Sequence, residues 1–528
     1  MLQVVLVHIS ITDPSLREHQ ERLAAELRAD GADVNLTMVD QADAGGGDRV
    51  RHADALVCLV GGEGSLYADG TQCGEGDVRA ARAVGIPVRA YEPSSVPAVR
   101  PSSHRAAYGA ARLEQLRREL RHTGMLAIVP DVDGLVHRVL NDVAATRAEL
   151  QQVAPDTVRS LHRRLRTHPD VRYGAFSVSM HNVDHIYSVD AIVPNREMPA
   201  TFRGREPGGA GANTIVGLSR LGVMTGVAGA VGDDRDGAQL RRALEHERVT
   251  DDLMLTVREK RTGHAVVLRD TQGRHSNFVD AGVNDRLAAE IDRRGLREAL
   301  IDAVKRSRIL HHSSFSTMPE RKLQEQMLLH LPNETVVTFK PGTMDAALGA
   351  ERLVSVLGRC DALFVSEQEI NLLLERLPGF NGAAPLNDKL DRLFTWRSDR
   401  GYTSPQLVVM TFEDIVEDAA LYLYWGAERY EGGIGSEQPL RGDDAREIVD
   451  PAGARDAAAA GVLFGLLRSR GPADCANLGY VLAMSVAVEY GCRQGLPRPP
   501  EVRDRWRRWL HVDEPPTWLD PYGQEHYG

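Results

Sequence analysis

The chain begins with a short β-branched apolar run, Val4 to Ile9, followed by a helical period from Pro14 to about Ala29. Val34 to Val39 and Ala55 to Val60 have the pattern of further buried strands, Val78 to Val84 that of a helix stopped by Gly85, and Pro87 to Tyr91 that of the next strand. Strands alternating with helices predict a parallel sheet covered on both faces. A Pro/Ser-rich stretch, Glu92 to Ser103, closes this first unit, taken as residues 1–104. Residues 105–172 are rich in Arg, Leu, Glu and Ala and predict bridging helices.

A second unit, 173–499, starts with the apolar strand Gly174 to Met180 and keeps alternating. Its other predicted strands include Ala265 to Leu268, Ile309 to His311, Val336 to Phe339, Ala362 to Val365 and Leu407 to Thr411. Ala288 to Arg306, Pro319 to Leu329 and Ala346 to Leu357 have helical spacing. Residues 500–528 form a tail with three Trp and several Pro.

Composition narrows the function classes. The chain has 528 residues, and its 63 Lys+Arg against 74 Asp+Glu give a formal charge of −11, which argues against nucleic acid as a partner. The longest nearly pure apolar run, Ala457 to Leu467, is too short for a bilayer, and MLQVVLVHIS lacks the build of a signal peptide. The five cysteines, Cys58, Cys73, Cys360, Cys475 and Cys492, are scattered without C-x-x-C spacing. They are expected to be reduced thiols in a cytoplasmic protein, not a zinc site or a disulfide framework.

Two segments carry candidate chemistry. In the first, Gly208-Gly209-Ala210-Gly211-Ala212-Asn213 runs into TIVGLSRLG and then VAGAVGDDRDG. Paired glycines let backbone approach a ligand that a Cβ would exclude. Asn213, with a donor and an acceptor, can read a hydroxyl. In the second, Asp450-Pro451-Ala452-Gly453-Ala454-Arg455-Asp456 opens the small-residue helix AAAAGVLFGLL. Unpaired amides and the helix dipole make such a start an anion site. Asp456 in the first turn is placed to take a proton from a hydroxyl.

In order and separation, the two segments resemble the signatures of the ribokinase-like (PfkB) carbohydrate and nucleoside kinases. The first is similar to G-G-x-x-x-N…R-L-G…G-x-x-G-x-D-x-x-G, with Gly208, Gly209, Asn213, Arg220, Leu221, Gly222, Gly229, Gly232, Asp234 and Gly237 in place. The second is similar to D-T-x-G-A-G-D, retaining Asp450, Gly453, Ala454 and Asp456. Asp184 of HNVDHIY, Thr262-Gly263 and Ala281-Gly282-Val283-Asn284 also match family elements, the first on what looks like the family's first strand. The resemblance, over residues 173–496, implies an α/β sandwich with a small β lid and transfer of the ATP γ-phosphoryl group to a sugar or nucleoside alcohol, with Mg²⁺. By carry-over Asp456 is the base, and Gly453, Ala454 and Arg455 belong to the anion hole. Asp184, Gly208, Gly209 and Asn213 hold the acceptor, Thr411 and Asp450 lie on the nucleotide side, and Glu369 acts indirectly on Mg²⁺. A homodimer is the candidate assembly.

Departures cluster on the nucleotide side. Arg455 replaces a glycine, Pro451 a threonine, Ser366 the Asn of N-x-x-E, and Glu413 the glycine of T-x-G. They leave open a kinase fold that binds a sugar or nucleoside as a sensor. In the first unit, Asp54 to Pro93 is similar to nucleoside 2-deoxyribosyltransferase-like and TIR-like domains, with a flavodoxin-like parallel sheet. Asp77 occupies the position of their catalytic carboxylate and Glu75 lies two residues before it, so N-glycosidic cleavage by this unit is a further alternative. His311-His312 is expected to be a strand end and not a metal site.

Overall fold

The computed structural model describes five strands within the first 155 residues, and then residues 156–510 apart from 194, 271–274, 403–405, 412–420, 426–427, 433–448 and 451. The chain divides into two compact units, one built on residues 1–153 and one on 154–513.

In the first unit, β1 (Leu2–His8), β2 (Val34–Val39), β3 (Ala55–Leu59), β4 (Val88–Pro93) and β5 (Leu126–Val129) form one parallel sheet in the order β2-β1-β3-β4-β5. This is the flavodoxin-like strand order. β5 corrects the purely helical reading of residues 105–172: the four-residue apolar stretch pairs with β4 at the sheet edge. The later end of that stretch belongs elsewhere, because the helix Asp156–Thr167 lies in the second unit. Glu75 and Asp77 fall outside the described residues.

The second unit has two sheets. β6 (Tyr173–Val178), β9 (Thr225–Gly232), β10 (Thr250–Val257), β13 (Ser307–Ser313), β14 (Val336–Lys340), β15 (Ala362–Val365) and β16 (Leu407–Met410) are parallel, and the antiparallel strands β17 (Leu421–Trp425) and β18 (Glu428–Gly432) extend one edge. A separate four-stranded sheet, ordered β12-β11-β7-β8, comprises β7 (Asn182–Val189), β8 (Ala200–Gly208), β11 (Gly263–Arg269) and β12 (His275–Asp280).

The large sheet is buried on both faces, as its continuous apolar strands require. On one face, Phe176, Val178 and Leu310 pack with Leu287, Leu300 and Leu323, while Phe339, Leu363 and Val408 pack with Leu357, Leu373 and Trp396. The other face carries helices α1 (Ala210–Arg220), α2 (Ala454–Leu467) and α3 (Pro472–Ala487). Small residues bring these helices close. A Cβ on Gly461 would lie 2.4 Å from the Leu478 carbonyl, and one on Gly217 would lie 2.7 Å from the Ala460 side chain.

Two predicted helices are broken. Ala288 to Arg306 divides into Leu287–Arg293 and Arg297–Lys305 around Gly295, whose φ of 65° ends the first helix. Ala346 to Leu357 is likewise interrupted at Gly349, with φ 82°. The tail begins with a helix, Pro499–Leu510.

Candidate active site

Parallel sheets gather ligands beyond the carboxyl ends of their strands. Lys340 is the last residue of β14, Ser366 follows β15 and Thr411 follows β16. The start of α2 meets this edge. Gly453 caps α2 with φ 79°, and no side chain caps its first amides. Those amides and the positive end of the dipole are thus available to an anion.

Asp456 lies in the first turn of α2 and is buried. Its Oδ2 accepts a 2.9 Å hydrogen bond from Asn213 Nδ2 in α1, and its Oδ1 is 2.7 Å from Lys340 Nζ. The Thr214 hydroxyl is 3.3 Å from its main-chain oxygen. Asn213 also accepts from Arg493 Nε at 2.8 Å, so one amide links the proposed base to a buried guanidinium. Arg493 Nη2 in turn lies 3.5 Å from the Gly208 carbonyl.

Asp184 lies on β7, the first strand of the small sheet in chain order and not the first of the unit. Gly208 pairs with Asn182 on the adjacent strand, and a Cβ there would come within 2.2 Å of Asp184 Oδ2. Glycine at 208 therefore leaves room for the carboxylate. Gly209 turns the chain from β8 into α1 with φ 105°, where a Cβ would collide with the Met180 carbonyl. Burial pushes the Asp184 carboxyl up to about 7, against the opposing pull of the Arg493 guanidinium and with added repulsion from Asp456.

On the side expected to take the nucleotide, Arg455 reaches across from α2. Its Nη2 donates to Glu369 Oε2 at 2.6 Å and its Nε to the Thr411 hydroxyl at 3.0 Å. Glu369 is buried, and the same oxygen accepts from the Ser366 amide at 2.9 Å in a capping box of the helix Glu367–Leu374. Ser366, which stands where the family has Asn, is thus the cap of this helix. Glu413 and Pro451 fall outside the described residues.

Asp450, expected on the nucleotide side, directs its carboxylate into the loop itself. It accepts from the amides of Ala452 at 2.9 Å and Gly491 at 2.7 Å and pairs with Arg269 of β11. His311 and His312 are both buried within β13, and burial pulls their imidazoles down to about 3. Among the described residues, no group of three or more His, Cys, Asp or Glu side chains could hold a metal ion.

Sequence reasoning missed Lys340, Arg269 and Arg493. Lys340 left a signal: a lysine ending an apolar strand immediately before Pro341-Gly342 stands where ligands gather. Arg493 and Arg269 left none, because their partners are remote in the chain.

Residues 176–398 match the family described as pfkB family carbohydrate kinase. The second unit carries a PfkB family carbohydrate kinase domain. An uncharacterized sugar kinase of Archaeoglobus fulgidus is 26% identical over 287 residues, covering 54% of this chain and 99% of the relative. A nucleoside kinase of Methanothermobacter thermautotrophicus is 25% identical over 337 residues, 63% of this chain and 95% of the relative. The solved ribokinase from Giardia lamblia superposes with a TM-score of 0.51 at 16% identity, over 63% of this chain and 99% of that one, a likeness of fold.

The remaining motif positions of the PfkB domain build its frame. Asp234 accepts from the amides of Gly237 (2.7 Å) and Thr262 (2.8 Å) and from the Thr262 hydroxyl (2.6 Å), tying the large sheet to β11. Asn284 is bonded to the His181 backbone in both directions, which fixes the passage from β6 to β7. Arg220 grips Glu247 through two nitrogens and reaches the Arg493 and Leu496 carbonyls, steadying the segment that places Arg493.

Proposed function

We propose that the PfkB domain is an ATP-dependent kinase that phosphorylates an alcohol group of a sugar or nucleoside. The observation that carries this reading is Asp456: a buried carboxylate in the first turn of a helix whose first amides no side chain caps, beside Asn213 and near enough to Asp184 for the two charges to interact. In that setting Asp456 takes the proton of the acceptor hydroxyl, the oxygen attacks the γ-phosphorus, and the bond to the bridging oxygen breaks to release ADP. The amides of Ala454, Arg455 and Asp456 stabilise the charge on the transferring group, the dominant need in phosphoryl transfer. Asp184 and the backbone at Gly208 and Gly209 orient the acceptor. The relatives described as sugar and nucleoside kinases support the substrate class.

Mg²⁺, which the family implies, neutralises phosphate charge when bound. Glu369, whose Oε2 accepts from Arg455 and from the Ser366 amide, would act on that ion only indirectly.

A second reading, an acceptor-binding sensor, draws on the same Arg455 side chain spanning the nucleotide side. ADP release measured against a panel of sugars and nucleosides, beside calorimetric binding of the same panel, separates the two. Turnover with at least one bound acceptor is expected. Binding without ADP release favours the sensor. No described helix is long and apolar enough to cross a membrane.

A further inference from the structure

The family's second signature has glycine where this chain has Arg455, and the structure gives that side chain a defined place. It leaves the second residue of α2 and ends on Thr411 and Glu369, the two side chains assigned to the nucleotide and its metal. Glu369 is 1% exposed, whereas the Arg455 side chain keeps 26% of its surface open. A buried carboxylate needs a partner, and a guanidinium supplies one without a metal. The pair therefore puts a protein cation where the fold family would call on Mg²⁺, with a solvent-facing side still able to meet an anion.

We propose that Arg455 is a phosphate ligand of this domain: its guanidinium, held in register by Glu369 and Thr411, contacts the polyphosphate of the nucleotide as the α2 amides bind it. The inference rests on the kinase reading above. It makes the glycine-to-arginine change a gain of a charge-assisted contact and not an obstruction. Planarity and several donors suit arginine to bind phosphate while keeping an anchoring carboxylate. Lys340, paired with Asp456 as Arg455 is with Glu369, adds a second fixed cation at the start of α2.

The test is calorimetric binding of AMP-PNP to the full chain, with Mg²⁺ and with EDTA, for wild type, Arg455→Gly, Arg455→Gln and Arg455→Lys. Loss of a hydrogen bond to a charged group predicts about tenfold weaker binding or more for Gly and Gln in EDTA, partly recovered by Lys. Equal or tighter binding by Gly or Gln overturns the proposal and makes Arg455 an obstruction, while turnover by those variants keeps the kinase reading. If wild type binds no AMP-PNP in either condition, both fail. Gln preserves the reach of the side chain, so an unfolded Gly variant does not remove the comparison.

Discussion

The Lys340 ammonium lies 2.7 Å from Oδ1 of Asp456, and the two side chains are 10% and 9% exposed. Together with the Asn213 amide on Oδ2, it fixes the carboxylate from both sides. The proposed base is thus held in one orientation before any acceptor arrives, which is the sense in which such sites are preorganised.

Removing one member of a buried ion pair leaves the other uncompensated, at a cost of about 3–5 kcal/mol. Lys340→Met is expected to lower the Tm of the PfkB domain by several degrees. The double variant Lys340→Met/Asp456→Asn should recover part of that loss, because the stranded charge is gone. Thermal denaturation of the four forms gives the coupling; strictly additive losses would show that the pair is not an energetic unit.

Asp184 governs a pH dependence. Burial raises its folded-state pKa to about 7 from an ordinary 3.8, with Arg493 opposing and Asp456 reinforcing the shift. The folded chain therefore holds this proton more tightly than the unfolded one. The stability so gained is fully present below about pH 4 and is lost as the pH rises to 7. Asp184→Asn is expected to be increasingly stabilised relative to wild type across that window and by a constant amount above it. Urea denaturation at pH 4.5, 6 and 8 checks this; a pH-independent difference contradicts it.

The parts of the site fixed by backbone constraints were legible in the chain. Gly208, Gly209 and Gly453 sit where a Cβ would collide with Asp184, Met180 or Cys492, so their spacing alone marks the loops that need them. The place of Asp456 was legible because it depends on a local feature, the start of α2. The opposite holds for Arg269 and Arg493, whose contacts come from long-range packing that periodicity does not encode, while Lys340 was marked only by its place at the end of a strand. Arg455 fell between these cases. Its position was visible, but whether it blocks or binds depends on Glu369 and Thr411, brought near by the order of β14, β15 and β16 in the sheet. The broken helices at Gly295 and Gly349 were marked by glycines that the apolar spacing outweighed. β5 was obscured by its brevity within an Arg- and Leu-rich stretch.

The most direct measurement compares wild type with Asp456→Asn on the acceptor that gives the fastest ADP release, following turnover and AMP-PNP affinity in the same preparations. A general base contributes about 10²–10⁴ in rate, and asparagine keeps the size of the side chain. Turnover is predicted to fall at least a hundredfold while AMP-PNP affinity stays within a few-fold of wild type. Turnover retained within tenfold would contradict the assignment of Asp456 as the base.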